Sequence, residues 1–262
     1  MPASNSLPLE PPFIFGASVV GASHIKSNLP CQDAAAYEVL VSGFAVFAIA
    51  DGLGSAAKSD LGAKAAVGAA LAEVREMVAG EITQKSGIED MARSAVVAAR
   101  KELEQTAREA GLTLSDLACT LMVGVILADS VCIAHIGDGA AVAKSADGLK
   151  IVSSPAESEY VNEVVPLTAE NFEKEVRVSG AQTGVKAVAA FTDGCQRGAL
   201  KKSAGGFSPH DKFFDPLFVY AMDEVVDLAR AENEIRGLLA SDKLGKISDD
   251  DKTLVVAVLK KG

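Results

Sequence analysis

Three apolar runs in this chain end at an Asp-Gly step. They are "FAVFAIADGLGS" at Asp51-Gly52, "VCIAHIGDGAA" at Asp138-Gly139 and "AVAAFTDGCQ" at Asp193-Gly194. A further acidic cluster, "SDDDKTLVV", stands immediately before the last apolar run. Carboxylates brought together raise one another's pKa unless a cation intervenes. An oxygen-only cluster suits Mg²⁺ or Mn²⁺ rather than zinc. The spacing is not that of a calcium loop, because no D-x-D-x-D-G run ends in a Glu.

Asp-Gly also makes hairpin turns, and that reading has to be weighed at each step. It is adopted for Asp147-Gly148, which lies in a polar stretch between two short strands. At Asp138-Gly139 the turn and the ligand readings both stay open. Asp51 is followed by a Gly-x-Gly loop, and Asp193 by "CQRGALKK", neither of which is a returning strand. There the ligand reading leads, since a rigid strand end is where a reactive carboxylate can be aimed. Asp249 reads as a solvated loop residue.

The elements that must position these residues follow from periodicity. Residues 13–23 and 35–42 read as strands around the loop "SHIKSNLPCQD", and 44–50 as a strand with no polar residue to alternate. Asp60 is the expected cap of a helix over 61–79, with Leu61, Ala65, Gly68 and Leu71 inward and Gly80 as its stop. A second helix, 88–110, stops at Gly111. Strands return at 119–127, 131–136 and 140–144, followed by an irregular stretch over 150–185. A strand over 186–192, one or two helices in 216–240 and a strand over 253–259 complete the chain. Residues 1–12 are Pro- and Ser-rich and read as a flexible segment. Residues 13–262 form one α+β domain, without repeat or linker.

The chain has 262 residues, 49% of them apolar, no Trp and a net charge of −10. The core is therefore aliphatic, and a nucleic-acid backbone is excluded as a partner for want of a basic face. The four cysteines form no Cys-x-x-Cys pair, which argues against a zinc knuckle and for reduced thiols in a cytoplasm. The start "MPASNSLPLEPP" has no signal-peptide pattern, and no membrane span is expected.

The order of motifs is more specific than any one of them. "QDAAAY", "AIADGLGS", "ACTLMVGVI", "IAHIGDGAAV", "AFTDGCQ" and "DDDKTLVVAVL" occur in sequence. Together they resemble the metal-dependent protein serine/threonine phosphatases of the 2C type. The closest likeness is to the bacterial branch with "SHIKS…PCQDA" and "EYVNEVVPLT"-like segments. The resemblance covers about residues 16–259. It implies a four-layer α-β-β-α sandwich of two antiparallel sheets flanked by helices. It also implies two Mg²⁺ or Mn²⁺ ions, with Asp51 bridging them and the Gly52 carbonyl as a ligand. Asp193 and Asp250 are implied as further ligands, Asp33 as a support of the site, and Asp138 with Asp193 as holders of a third ion. The implied reaction is hydrolysis of phosphoserine and phosphothreonine in proteins, with Asp51, Asp193 and Asp250 as the catalytic set. The implied partner is a phosphorylated protein, either a cognate serine/threonine kinase or its target.

The chain departs from the family pattern in places. The first motif ends Gln32-Asp33 instead of Glu-Asp, and the phosphate-binding Arg a few residues earlier is absent. His24 and Lys26 are the candidates to replace it. His135 reads as a packed strand residue, His210 as exposed, Arg197 as a surface cation and Cys195 as a small packed side chain. Two other functions stand beside the phosphatase. One is a catalytically weak phosphatase-like module that binds a kinase or phosphoprotein. The other is a phosphotransferase on a nucleotide-binding fold, ranked low because "DGLGSAAKSDLG" lacks the spacing of a phosphate loop.

Overall fold

The structure, a computed structural model, describes residues 11–80, 87–155, 164–204, 206–223 and 226–259. Residues 1–10 of the expected flexible start lie outside these, as do residues 159–163 of "EYVNEVVPLT". Pro12, the last residue of that start, is already buried.

The chain opens with β1 (Phe13–Val19), a short α1 (Ala22–Ser27), β2 (Ala34–Val39) and β3 (Phe44–Ala50), then α2 (Ser59–Ala79) and α3 (Ile88–Ala110). Next come β4 (Leu121–Leu127), β5 (Ser130–Ile136), β6 (Ala140–Ser145) and β7 (Gly148–Ser153), then α4 (Phe172–Glu175), β8 (Arg177–Val178) and β9 (Ala187–Phe191). The last part holds α5 (Gln196–Ala199), β10 (Leu200–Ser203), β11 (Gly206–Pro209), α6 (Asp211–Ala221), α7 (Leu228–Leu239), α8 (Asp242–Gly245) and β12 (Lys252–Val258).

Two five-stranded antiparallel sheets result, in the orders β1-β12-β9-β6-β7 and β2-β3-β4-β5-β8. Each is covered on both faces, which is why β3 carries no polar residue. Ala45, Phe47 and Ile49 pack into the layer between the sheets, beside Met122, Ile133 and Val255. Phe44, Val46, Ala48 and Ala50 turn the other way, onto Val67, Val74 and Met91 of α2 and α3. In the first sheet Leu254, Val256 and Val258 of β12 pack on Phe214, Phe218 and Ile235 of α6 and α7. The architecture is thus helix pair, sheet, sheet, helix pair.

The helix stop at Gly111 is as expected, with a left-handed φ of 65°. Other expectations need correction. The loop "SHIKSNLPCQD" contains α1. Asp60 does not cap α2: the cap position is Lys58, and Asp60 lies in the first turn, where it accepts from Lys64. Of the expected inward stripe of α2, Leu71 is buried and Ala65 half-buried, but Leu61 is 38% exposed and Gly68 is exposed too. Instead Ala63, Ala66, Val67, Ala70 and Val74 are buried. The segment is so rich in Ala and Gly that apolar residues lie all around the helix, and period alone leaves its phase open. The hairpin β10–β11 falls in a Lys- and Ser-rich stretch with no apolar alternation to announce it.

Candidate metal centre

Antiparallel register decides where the strand ends meet. Ala50 ends β3 opposite Ala34, which begins β2. Leu121 begins β4 opposite Ile136, the end of β5. In the other sheet Phe191 ends β9 opposite Ala140 of β6 and Leu254 of β12. Asp33, Asp51, Asp138, Asp193 and Asp250 therefore stand at one end of the sandwich. Asp51, Asp138 and Asp193 each offer a carboxylate oxygen there, all within 4.8 Å of one another.

Backbone contacts fix each carrier. The Asp51 N–H donates to Thr120 Oγ1 at 2.9 Å, and the Thr120 N–H returns a bond to the Asp51 carbonyl at 2.8 Å. The Gly52 N–H donates to the Gln32 carbonyl at 3.2 Å. The turn before Asp138 is held by Arg177, whose Nη2 donates to the Gly137 carbonyl at 2.8 Å and to His135 Nδ1 at 3.0 Å. On the far side of Asp138 its carbonyl accepts from the Gln196 side-chain amide. Gly194, just after Asp193, sits so close to β12 that a Cβ there would lie 1.9 Å from the Asp251 carbonyl oxygen.

Asp33 is buried between the sheets' ends. Its Oδ2 accepts from the Thr192 and Thr253 hydroxyls at 2.8 and 2.7 Å. Its Oδ1, the Oδ1 of Asp193 and the Oε1 of Gln32 are buried without a hydrogen-bond partner among the described residues. Buried oxygens without donors are costly, and a hard cation supplies what the protein here does not. The residues therefore fit a divalent-cation site made of oxygen donors.

Electrostatics agree. Burial, and then the charges of Asp33 and Asp193, hold the Asp51 carboxyl well above its usual range. Burial pushes Asp33 up to about 7 against the pull of the two threonine hydroxyls. Burial and then Asp193 push Asp138 up to about 6. Asp193 is raised by burial and by the charge of Asp250. Ionising all four near neutral pH needs positive charge among them.

The final acidic cluster divides its labour. Asp251 is 2% exposed, and its carboxylate is saturated. Oδ1 accepts from the Gly21 N–H at 2.6 Å. Oδ2 lies 2.6 Å from the Gln32 N–H and 2.9 Å from His24 Nδ1. Asp250 is exposed, and its Oδ1 accepts from the Asp251 N–H at 2.8 Å. Asp249 is exposed and contributes its carbonyl to Ser23.

Comparison with known proteins now decides the family. The family model for protein phosphatase 2C matches residues 20–258. Serine/threonine-protein phosphatase 3 of Escherichia coli (strain K12) is 34% identical over 254 residues, a match spanning 92% of this chain and 96% of that one. The chain belongs to the protein phosphatase 2C family. Solved structures share its fold at lower identity. A Staphylococcus aureus serine/threonine phosphatase aligns with a TM-score of 0.64 and 13% identity, over 99% of this chain and 100% of that one. The catalytic domain of the serine/threonine protein phosphatase PstP, in complex with two manganese ions, aligns with a TM-score of 0.62 and 15% identity, over 94% and 97%.

Asp138 is not in a plain hairpin turn, since β5 and β6 lie in different sheets, and its carboxylate stands with those of Asp51 and Asp193. Asp250 stands beside Asp193 and Asp138 as a neighbouring charge. His24 is drawn onto Asp251 by one ring nitrogen, whereas Lys26 is exposed. His135 is a satisfied core residue on Ser153 Oγ at 2.9 Å, and burial pushes its imidazole down to about 3. Cys195 is buried with its thiol pushed up by burial, as a packing residue should be. His210 is not simply exposed: it is half-buried, with Nδ1 3.0 Å from the Gly198 carbonyl.

Several site residues had no role in the sequence reading. Thr192 and Thr253 lie inside the quoted motifs, one before Asp193 and one after the last acidic cluster, and that adjacency was their signal. Lys252 is buried, with Nζ on the Asp250 carbonyl at 2.7 Å. Arg177, Gln196 and Thr120 carry no local signal, because each acts through a contact set by the fold. Among the described residues no helix is long and apolar enough to cross a membrane.

Proposed function

We propose that this protein hydrolyses phosphoserine and phosphothreonine in proteins at a divalent-cation site of Asp51, Asp193, Asp250 and the Gly52 carbonyl. Asp33 supports that site, and Asp138 with Asp193 takes a further ion. The observation that carries the reading is the convergence of three strand-end carboxylates within 4.8 Å beside buried, donorless oxygens. Bound there, a pair of Mg²⁺ or Mn²⁺ ions would lower the pKa of a water toward neutrality and neutralise phosphoryl oxygens.

The chain's own residues supply the frame. Asp51 is aimed by Thr120, and Asp33 is locked by two hydroxyls that keep it from turning away. The Asp138 turn is clamped from both sides by Arg177 and Gln196. His135 stays neutral and out of proton transfer. His24 and Lys26 are our candidates for the phosphate contact. They lie on α1, which is tied to the last acidic cluster by the bond from the Ser23 N–H to the Asp249 carbonyl at 2.9 Å. The manganese in the PstP domain supports Mn²⁺ as one usable ion. The physiological partner we infer is a serine/threonine kinase or its target in a cytoplasm, where four free thiols are at home.

The test is hydrolysis of an aryl phosphate and of a phosphothreonine peptide, with Mn²⁺ and with EDTA. Activity in Mn²⁺ and none in EDTA is expected, with okadaic-type inhibitors without effect. Full activity in EDTA overturns the metal mechanism. Phosphopeptide binding without turnover in Mn²⁺ would instead favour the phosphatase-like binding module, for which Gln32 and the missing Arg argue.

A further inference from the structure

Away from the carboxylates, a cavity of about 400 Å³ lies between α5, α6, α7 and α8. Phe213, Leu217, Ile235 and Leu244 are among its walls. A space of this size with apolar walls matches what small ligands occupy. Its polar groups are not those of the rest of the surface. Arg197, Lys212 and Lys243 gather around it, with Glu234 as the one carboxylate among the described residues of the lining. This local excess of positive charge stands out in a chain of net charge −10. Such a patch concentrates anions against the protein's overall field. The three cations are exposed, so they are free to close on a head group at the mouth.

A second observation points the same way. Tyr220 also lines the cavity, and its hydroxyl is shielded with no hydrogen-bond partner among the described residues. The ring is half-buried, but a shielded hydroxyl without an acceptor is an unmet demand. An anionic oxygen reaching past the rim would meet it.

We propose that this cavity binds an amphipathic anion: an apolar body of one or two rings, or a medium acyl chain, ending in a single carboxylate, sulfonate or phosphate. The body replaces water against the apolar walls, and the head is held by Arg197, Lys212 and Lys243. The position gives the site a route to the carboxylates. Arg197 and Gly198 belong to α5, which begins three residues after Asp193 and whose Gln196 holds the Asp138 carbonyl. An occupant therefore rests directly on the segment that joins two of the converging strand ends.

The test is a fluorescence titration of the folded protein with anilinonaphthalene sulfonate, a two-part aryl anion. Neutral N-phenylnaphthylamine is the comparator. The double variant Lys212→Glu/Lys243→Glu changes only exposed residues outside the carboxylate site. Saturable one-to-one binding is expected, displaced by decanoate and weakened roughly tenfold or more in the double variant. The neutral amine is expected to bind more weakly by a similar factor. Absence of saturable binding, equal binding of the neutral amine, or an unchanged affinity in the charge-reversed protein overturns the proposal.

Discussion

Gly21 and Asp251 are 230 residues apart in the chain, yet the Gly21 N–H donates to Asp251 Oδ1 at 2.6 Å. A Cβ on residue 21 would lie 2.2 Å from the Asp250 carbonyl carbon, so glycine is required for this approach. The bond ties the end of β1 to the loop before β12. With the Gln32 N–H on the other oxygen, it makes Asp251 a clasp between the chain's beginning and its end.

That clasp predicts a division among three adjacent aspartates. Asp251→Ala leaves two backbone donors without their acceptor and should cost about 3 kcal/mol of stability. Asp250→Asn should leave the melting temperature near wild type and remove most phosphatase activity. Asp249→Asn should change neither. Thermal melts and aryl phosphate hydrolysis on the three variants check this. Loss of activity at Asp249 with none at Asp250 would shift the ligand assignment by one residue.

The phosphate contact is tested on α1. Lys26 is exposed, so Lys26→Ala leaves packing intact. If its ammonium meets the phosphate, the variant should lose ~1.5–3 kcal/mol of transition-state stabilisation, read as kcat/KM. His24→Ala should reduce both kcat/KM and the melting temperature, because the ring also binds Asp251. Unchanged kcat/KM in both variants would leave the phosphate to metal ions or to another cation.

How much of this was legible in the sequence depends on how local the cause was. The placement of Asp51 and Asp193 at the ends of buried strands was legible, because an all-apolar run ending in a carboxylate is a local signal. The stop at Gly111 was legible for the same reason: one residue sets it. The phase of α2 was not, since Ala-rich helices carry apolar groups on every side. The hydroxyls of Thr192 and Thr253 were not assigned to Asp33, which lies 159 and 220 residues away and meets them only when β9 and β12 pair. Asp251 was legible only as part of the acidic cluster before the last strand. Its saturation by Gly21, Gln32 and His24 needed the fold.

The raised carboxyls predict how metal-free stability changes with pH. The folded protein keeps Asp33 protonated to about 7 and Asp138 to about 6, against an ordinary value of 3.8. Asp51 and Asp193 are raised as well. A raised carboxyl stabilises fully below its unfolded pKa, and that contribution is lost as pH climbs through the folded value. His135 acts in the opposite sense, since its folded value of about 3 lies below the ordinary 6.5. One imidazole stands against four carboxyls, so their sign prevails. In EDTA the melting temperature should fall between about pH 5 and about pH 7.5. A rise over that interval would show that the carboxyls do not crowd one another as the geometry requires.

The same crowding gives the sharpest test of Asp51. Near neutral pH and without metal, Asp51 faces the charges of Asp33, Asp193 and Asp138. Asp51→Asn removes one partner from that repulsion, so the metal-free variant should melt higher than metal-free wild type. Adding Mn²⁺ should reverse the ranking. Wild type at a hundredfold excess over the dissociation constant gains about 2.7 kcal/mol for each independent site. The variant has lost one of the three carboxylates that converge within 4.8 Å, and should gain little. Its backbone frame is preserved, because the bonds to Thr120 involve only the main chain of residue 51. A loss of metal response can therefore be assigned to the side chain. Four melts settle it, wild type and variant in EDTA and in Mn²⁺ at about pH 7.5. Equal metal-induced shifts in the two proteins would mean that Asp51 is no ligand and that "FAVFAIADG" is a strand ending in a turn.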